Sequence, residues 1–254
     1  MQDIFAVQQR IMKKIILTVC VIVTAIAASA QTTGQKKDWK KEIIDRPSDH
    51  IMVQLTSDHW SGVPDSISSH MKGLSRGLGI SFMFDKPFKT DPHWSVAFGI
   101  GVNGSSIFFD KMAVDIKSTT SSKLPFINQD SLNHYKKYKL VTAYLEVPVE
   151  LRYTFSPEKE NKSWKAALGL KVGTLINVHT KGKNLVDRNG TSLNSFTEKE
   201  SKKSFFGSNR VMATARVGIG HITLVCNYQL SAFLKDGVGP DIKPYQIGIC
   251  LSGL

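Results

Sequence analysis

The chain has 254 residues, a formal charge of +12 and three cysteines. That length suits one all-β domain behind a leader, and so few cysteines exclude a disulfide-built scaffold. After residue 30 no run of about 18 apolar residues occurs, which excludes a membrane-spanning helix.

The leader comes first. In MKKIILTVCVIVTAIAASAQ, which starts at Met12, Lys13 and Lys14 precede an apolar stretch from Ile15 to Ile26, and Ala28-Ser29-Ala30 precedes Gln31. This is the pattern of a secretory signal peptide over residues 1–30, with Met12 the expected start. Cys20 sits inside the apolar stretch rather than at its end, which argues against lipidation. Cleavage would leave a chain of about +10, because Arg10, Lys13 and Lys14 depart with Asp3. Residues 31–48, with Lys36, Lys37, Lys40 and Lys41, are expected to form a short basic periplasmic segment. Residues 49–254 then carry the strands. Only Cys226 and Cys250 remain there, both in strand-like runs, and the sequence leaves a bridge between them open.

Period-two alternation predicts eight strands at 49–57, 76–84, 94–104, 140–155, 164–177, 209–219, 221–230 and 244–253. The fourth contains YLEVPVELRYTF, with Leu145, Val147, Val149, Leu151, Tyr153 and Phe155 on one face. Glu146, Pro148, Glu150 and Arg152 lie on the other. The connections alternate as well. Spans 58–75, 105–139, 178–208 and 231–243 are long, whereas 85–93, 156–163 and 220 are short. A membrane barrel has short periplasmic turns and long external loops, and a soluble meander has no reason to sort its loops by end. Phe82, Phe84, Trp94, Tyr153, Phe155 and Trp164 flank the short turns on the apolar face, as an interfacial girdle would. The fold expected is therefore all-β: an eight-stranded antiparallel up-and-down transmembrane β-barrel, apolar face outward.

The polar face mixes small residues with Glu146, Glu150, Arg152, Lys165, Lys171 and Arg216. An eight-stranded bore is just wide enough for side chains to fill, and charges buried there must pair. The Glu146 and Glu150 carboxylates are expected to meet Arg152, Lys171 or Arg216 in a structural charge network that plugs the lumen. Pro148 cannot donate to a ladder, so a bulge or local break is expected there.

These strand-and-turn patterns carry a resemblance. YLEVPVELRYTF, followed by a short turn and WKAALGLKVGTLINV, resembles the PorT-like outer-membrane β-barrel family of Gram-negative bacteria. The ending, ATARVGIGHITLVCNYQLSAFLKDGVGPDIKPYQIGICLSGL, is similar to that family's closing strands. The resemblance spans about residues 49–254 and implies a fold rather than an activity. One member group is associated with assembly of a secretion and gliding apparatus, and the family supplies no functional residues to carry over.

Several catalytic patterns fail on context. Gly99–Gly104 matches G-x-G-x-x-G, but no helix follows to receive a pyrophosphate. Gly73–Gly77 matches G-x-S-x-G with the strand after it instead of before. Glu146 and Glu150 lie roughly 13 Å apart along a strand, too far for a glycosidase pair. The histidines show no metal spacing, and His134, His179 and His221 read as surface loop or turn residues. No catalytic, cofactor or metal set is legible, and no enzyme is expected. Lysines gather in the connections, at Lys136, Lys137, Lys139, Lys181, Lys183, Lys199, Lys202 and Lys203. With acids interleaved and no aromatic platform, they point away from nucleic acid and toward lipid phosphates.

The expectation is a non-enzymatic protein of the Gram-negative outer membrane, acting through external loops in structure, adhesion, or envelope assembly and secretion. Its expected partners are outer-membrane lipid or lipopolysaccharide and envelope or secretion-machinery proteins. Three rivals are weighed against it. A lipid-modifying barrel enzyme would need a Ser–His pair at the outer rim on the lipid side, and no such spacing is legible. A soluble lipocalin-like periplasmic binder would need an apolar cavity. An open pore would conduct.

Overall fold

A computed structural model describes residues 51–157 and 162–253. The predicted signal peptide and basic segment lie outside the described residues. Eleven strands and one short helix follow in order. They are β1 (Ile51–Ser61), α1 (Asp65–Ser68), β2 (Arg76–Pro87), β3 (Trp94–Phe109), β4 (Met112–Val114) and β5 (Phe126–Asn128). Then come β6 (His134–Thr154), β7 (Trp164–Val186), β8 (Ser192–Ser201), β9 (Asn209–Ile219), β10 (Ile222–Gln229) and β11 (Lys243–Ser252). Among the described residues no helix is long and apolar enough to cross a membrane.

The main sheet runs β6-β3-β2-β1-β11-β10-β9-β7, and β6 pairs with β7 to close it. This is a closed eight-stranded antiparallel up-and-down barrel, each barrel strand hydrogen-bonded to its neighbours in the chain and β1 to β11. The short turns lie at one end of the barrel, expected to be the periplasmic one, and the long loops at the other. β8 is an addition, paired to the upper part of β7, and β4 and β5 form a separate small hairpin.

The alternation resolves with the apolar face outward. Leu168, Leu224 and Val172 are 68%, 63% and 55% exposed, whereas Glu146, Glu150 and Lys171 on the alternate positions are 3%, 1% and 3% exposed. A contiguous band of exposed Leu, Ile, Val and Phe is far larger than the apolar patches a soluble monomer tolerates, and lipid is its natural cover. At its lower edge the predicted aromatics touch one another: Trp94 with Tyr153 at 4.9 Å, Tyr153 with Phe155 at 5.0 Å, and Phe82 with Phe84 at 5.0 Å.

Two expectations are corrected and one is narrowed. The spans 105–139 and 178–208, read as connections, carry much strand, since β3, β6 and β7 continue well beyond the predicted ends and β8 follows. Pro148 makes no bulge; it stays in register opposite Lys171. The break falls on its other side, where the β3–β6 ladder omits Gly99 and Ile100 opposite Pro148 and Val147 while keeping register on both flanks. A missing N–H pointing toward β3 accounts for this. The bulge lies higher, where Ala143 and Tyr144 face Asn177 and Leu175, leaving Ile176 as the extra residue. Finally, His134 and His179 belong to β6 and β7, with His134 buried, and only His221 occupies a turn.

Candidate functional site: the lumen and the outer rim

Small residues beside large ones fill the bore. Glu146 lies between Gly101 of β3 and Gly173 of β7, and Glu150 between Ala97 and Gly169. A Cβ on Gly169 would stand 2.9 Å from Cγ of Glu150, so the glycine is the space through which that carboxylate crosses.

Near the periplasmic end Arg216 holds Glu150 with two bonds, Nη2 to Oε2 at 2.7 Å and Nε to Oε1 at 3.2 Å. Arg152 adds Nε to Oε2 at 3.0 Å. The triad rests on an apolar floor of Met52, Met83, Ala97, Val225 and Cys250. One level up, Lys171 donates to Oε1 of Gln54 at 2.9 Å. Above that, Arg210 donates to Oε1 of Glu146 from Nε at 2.9 Å and Nη2 at 2.6 Å, and to Asn103 at 3.0 Å. The Arg210 guanidinium lies 3.8 Å from the centroid of the Tyr144 ring. Asp58 accepts from Thr56 at 2.6 Å and Gln246 at 3.0 Å.

Of the five residues predicted for the network, Glu150, Arg152 and Arg216 meet directly. Glu146 takes Arg210 instead, and Lys171 takes an amide. Arg210 shares the lumen face with Met212, Thr214 and Arg216, and that parity was the signal that could have placed it here. Cys226 is exposed and Cys250 buried; both are free thiols on opposite faces of the wall, so no bridge joins them.

A second layer covers the outer end. Phe109, Met112, Val114, Ile116, Leu124, Tyr138, Phe205, Phe206, Phe233 and Leu234 are buried together, far from the lipid band. Tyr138 pins the β4–β5 hairpin, accepting from the Val114 N–H at 3.1 Å and donating to its carbonyl at 3.0 Å. Trp60 packs on Phe109 and Phe233 at centroid distances of 5.8 and 5.2 Å. Beneath this layer a residual cavity of about 10 Å³, bordered by Asp58, Arg210 and Gln246, has room for about one water.

The sequence pattern of the family described as "Outer membrane protein beta-barrel domain" matches residues 51–231. The chain belongs to this family. Among solved structures, this outer-membrane barrel is similar to Ail, the attachment invasion locus protein of Yersinia pestis. The identity is 13% and the TM-score 0.30, over 80% of this chain and 95% of that one. A second Ail structure, in complex with the heparin analogue sucrose octasulfate, gives the same figures. No curated protein matches the chain.

One feature of the rim was missed in the sequence. Ser57 and His59 alternate onto the outward face of β1, just above the lipid-facing Leu55, with Oγ and Nε2 2.9 Å apart. His59 stacks on Tyr245 at 5.2 Å. The intervening Asp58 points into the bore, so it cannot orient the ring as an acid of a triad would. Among the described residues no group of three His, Cys, Asp or Glu side chains is arranged to hold a metal ion.

Proposed function

We propose that this outer-membrane barrel is a non-enzymatic envelope protein with a plugged lumen, working through the folded layer it presents outside the cell. The observation that carries this reading is the double filling of the bore. Charged side chains cross it at three levels, and an apolar layer of the loops covers the mouth. That packing argues against a lipocalin-like cavity and against a water-filled channel. Structure, adhesion and envelope assembly or secretion are the roles open to such a scaffold, and the strand-and-turn patterns select none of them. Its partners would be outer-leaflet lipid and envelope proteins that dock on the external layer. Export by the 1–30 leader belongs to the same reading, with Gln31 as the mature N-terminus.

Planar-bilayer recording of the refolded protein tests the plug and should give no stable conductance; a steady channel would overturn it. The enzymatic rival has a defined test at the rim. Hydrolysis of lipid A or phospholipid by the wild type, lost in Ser57→Ala, would replace this reading with a lipid-modifying one.

A further inference from the structure

Above the lipid band the wall of the barrel is sorted by charge. Across four strands in register, Phe108 of β3 lies opposite Lys139 of β6, Lys139 opposite Lys181 of β7, and Lys181 opposite Lys199 of β8. The neighbouring rows add Lys137 opposite Lys183, and His179 opposite Val141. Like charges set directly opposite one another destabilise a sheet, so three lysines in one row need a compensating partner.

The protein supplies Lys139 with a hydrogen bond to Oγ of Ser106 at 3.3 Å and the face of the Phe108 ring at 5.4 Å, but no opposite charge. Among the described residues no carboxylate pairs with Lys137, Lys139, Lys181, Lys183 or Lys199. β8 carries acids, but they alternate to the other face. Glu198 lies opposite Gly182 and bonds Tyr135, while Glu200 lies opposite the buried Thr180 and reaches Lys117 at 3.7 Å. Bases therefore face the lipid side and acids the loop layer. Burial and the Lys181 charge hold the Lys139 ammonium below its ordinary value, and burial with Lys199, Lys139 and Lys181 does the same to His179.

Height identifies the partner. An apolar band about 25 Å tall on strands tilted by about 40° takes about ten residues, which on β6 runs from the girdle at Tyr153 to Ala143. Lys139 then stands about 10 Å above the hydrocarbon, within a lysine's reach of a phosphorylated headgroup.

We propose that Lys139, Lys181 and Lys199 form a binding site for the phosphate groups of outer-leaflet glycolipid, the lipid A and inner core of lipopolysaccharide. The site rests on the reading that this end of the barrel stands outside the outer membrane.

The full-length protein in phosphatidylcholine nanodiscs, titrated with bis-phosphorylated lipid A, tests the site. The triple variant K139Q/K181Q/K199Q should lose roughly 100-fold in affinity, at about fivefold per lysine near an anionic surface. The arginine triple should stay within about threefold, because guanidinium also binds phosphate. A charge-matched control, K86Q/K89Q/K123Q, should bind as the wild type does. Heat-modifiable gel migration establishes that each variant is folded. Without lipid A the glutamine triple should melt no lower than wild type, since repulsion is removed; with lipid A only the wild type should gain. Retention of lipid A by the glutamine triple to within about twofold, or equal binding of dephosphorylated lipid A, would overturn the site. Competition by inorganic phosphate at equal concentration would overturn the glycolipid as its occupant. Orientation has its own readout. K181C on intact cells should react with a membrane-impermeant maleimide, and failure there would overturn the outward placement itself.

Discussion

Glu150 is 1% exposed and gathers two arginines, so its carboxylate is the centre of the lower lumen. Removing one partner from a buried ion pair leaves charge with neither water nor counterion, at a cost of about 3–5 kcal/mol. Glu150→Gln should lower unfolding stability in lipid vesicles by that order, read from urea titration of tryptophan fluorescence. A companion variant, E150L/R216M with Arg152 retained beside Asp85 at 3.9 Å, should recover part of the loss because fewer charges remain unpaired. A change below about 1 kcal/mol in Glu150→Gln would show that the triad is not structural. His179 offers a residue-scale pH prediction. Lys139, Lys181 and Lys199 surround it beside uncharged Val141, Ser201 and Asn177, and its pKa is lowered. A base with a depressed folded pKa binds fewer protons folded than unfolded, so stability rises with pH through the window below about 6.5. The extension of β7 and β8 should be looser at low pH in lipid-A-free discs. Amide protection factors of Thr180 and Lys181, corrected for the faster intrinsic exchange at higher pH, should rise from pH 5 to pH 7, and His179→Asn should flatten that rise.

At the scale of elements, legibility followed the lipid. Where one face meets hydrocarbon and the other the bore, contrast between alternate residues is strong, and all eight barrel strands were readable from it. Above the band β8 is exposed on both of its faces, so SLNSFTEKES carries no apolar alternation and β8 was invisible. The cap was unreadable for another reason: Met112, Leu124, Phe206 and Phe233 come from three different connections and have no common period. Pro148 was read correctly as a break and wrongly as a bulge, because a lost donor interrupts one ladder without shifting register. Gly169 makes the sharper test of strand packing. A Cβ there would collide with the Val149 carbonyl and crowd Glu150, so Gly169→Ala should cost about 1–3 kcal/mol through overpacking. Gly190, whose Cβ would meet nothing within 4 Å, has a φ of +88°, so Gly190→Asn, which tolerates that region better than Ala, makes the milder comparison. Equal thermal shifts for the two would remove the steric account of the lumen glycines.

For the whole molecule, the proposed plug consists of two seals that should be separable. The lower one belongs to the wall: Arg216, Arg152, Lys171 and Arg210 project from β6, β7 and β9, which pair with one another around the bore. The upper one belongs to the loops, with β4, β5 and the segment near Phe206 meeting over Tyr138. The lower seal needs nothing from the upper, since its partners are lumen residues. Replacing 111–129 by a short Gly-Ser linker should therefore leave a heat-modifiable barrel in the outer membrane, with new protease sensitivity near Tyr138 and no conductance. Adding E146A/R210A to that deletion clears the upper charge level while Glu150, Arg152 and Arg216 still span the bore, so the combined variant should remain closed. Opening by the linker alone would place the whole barrier in the external layer and make the charged lumen a matter of stability only.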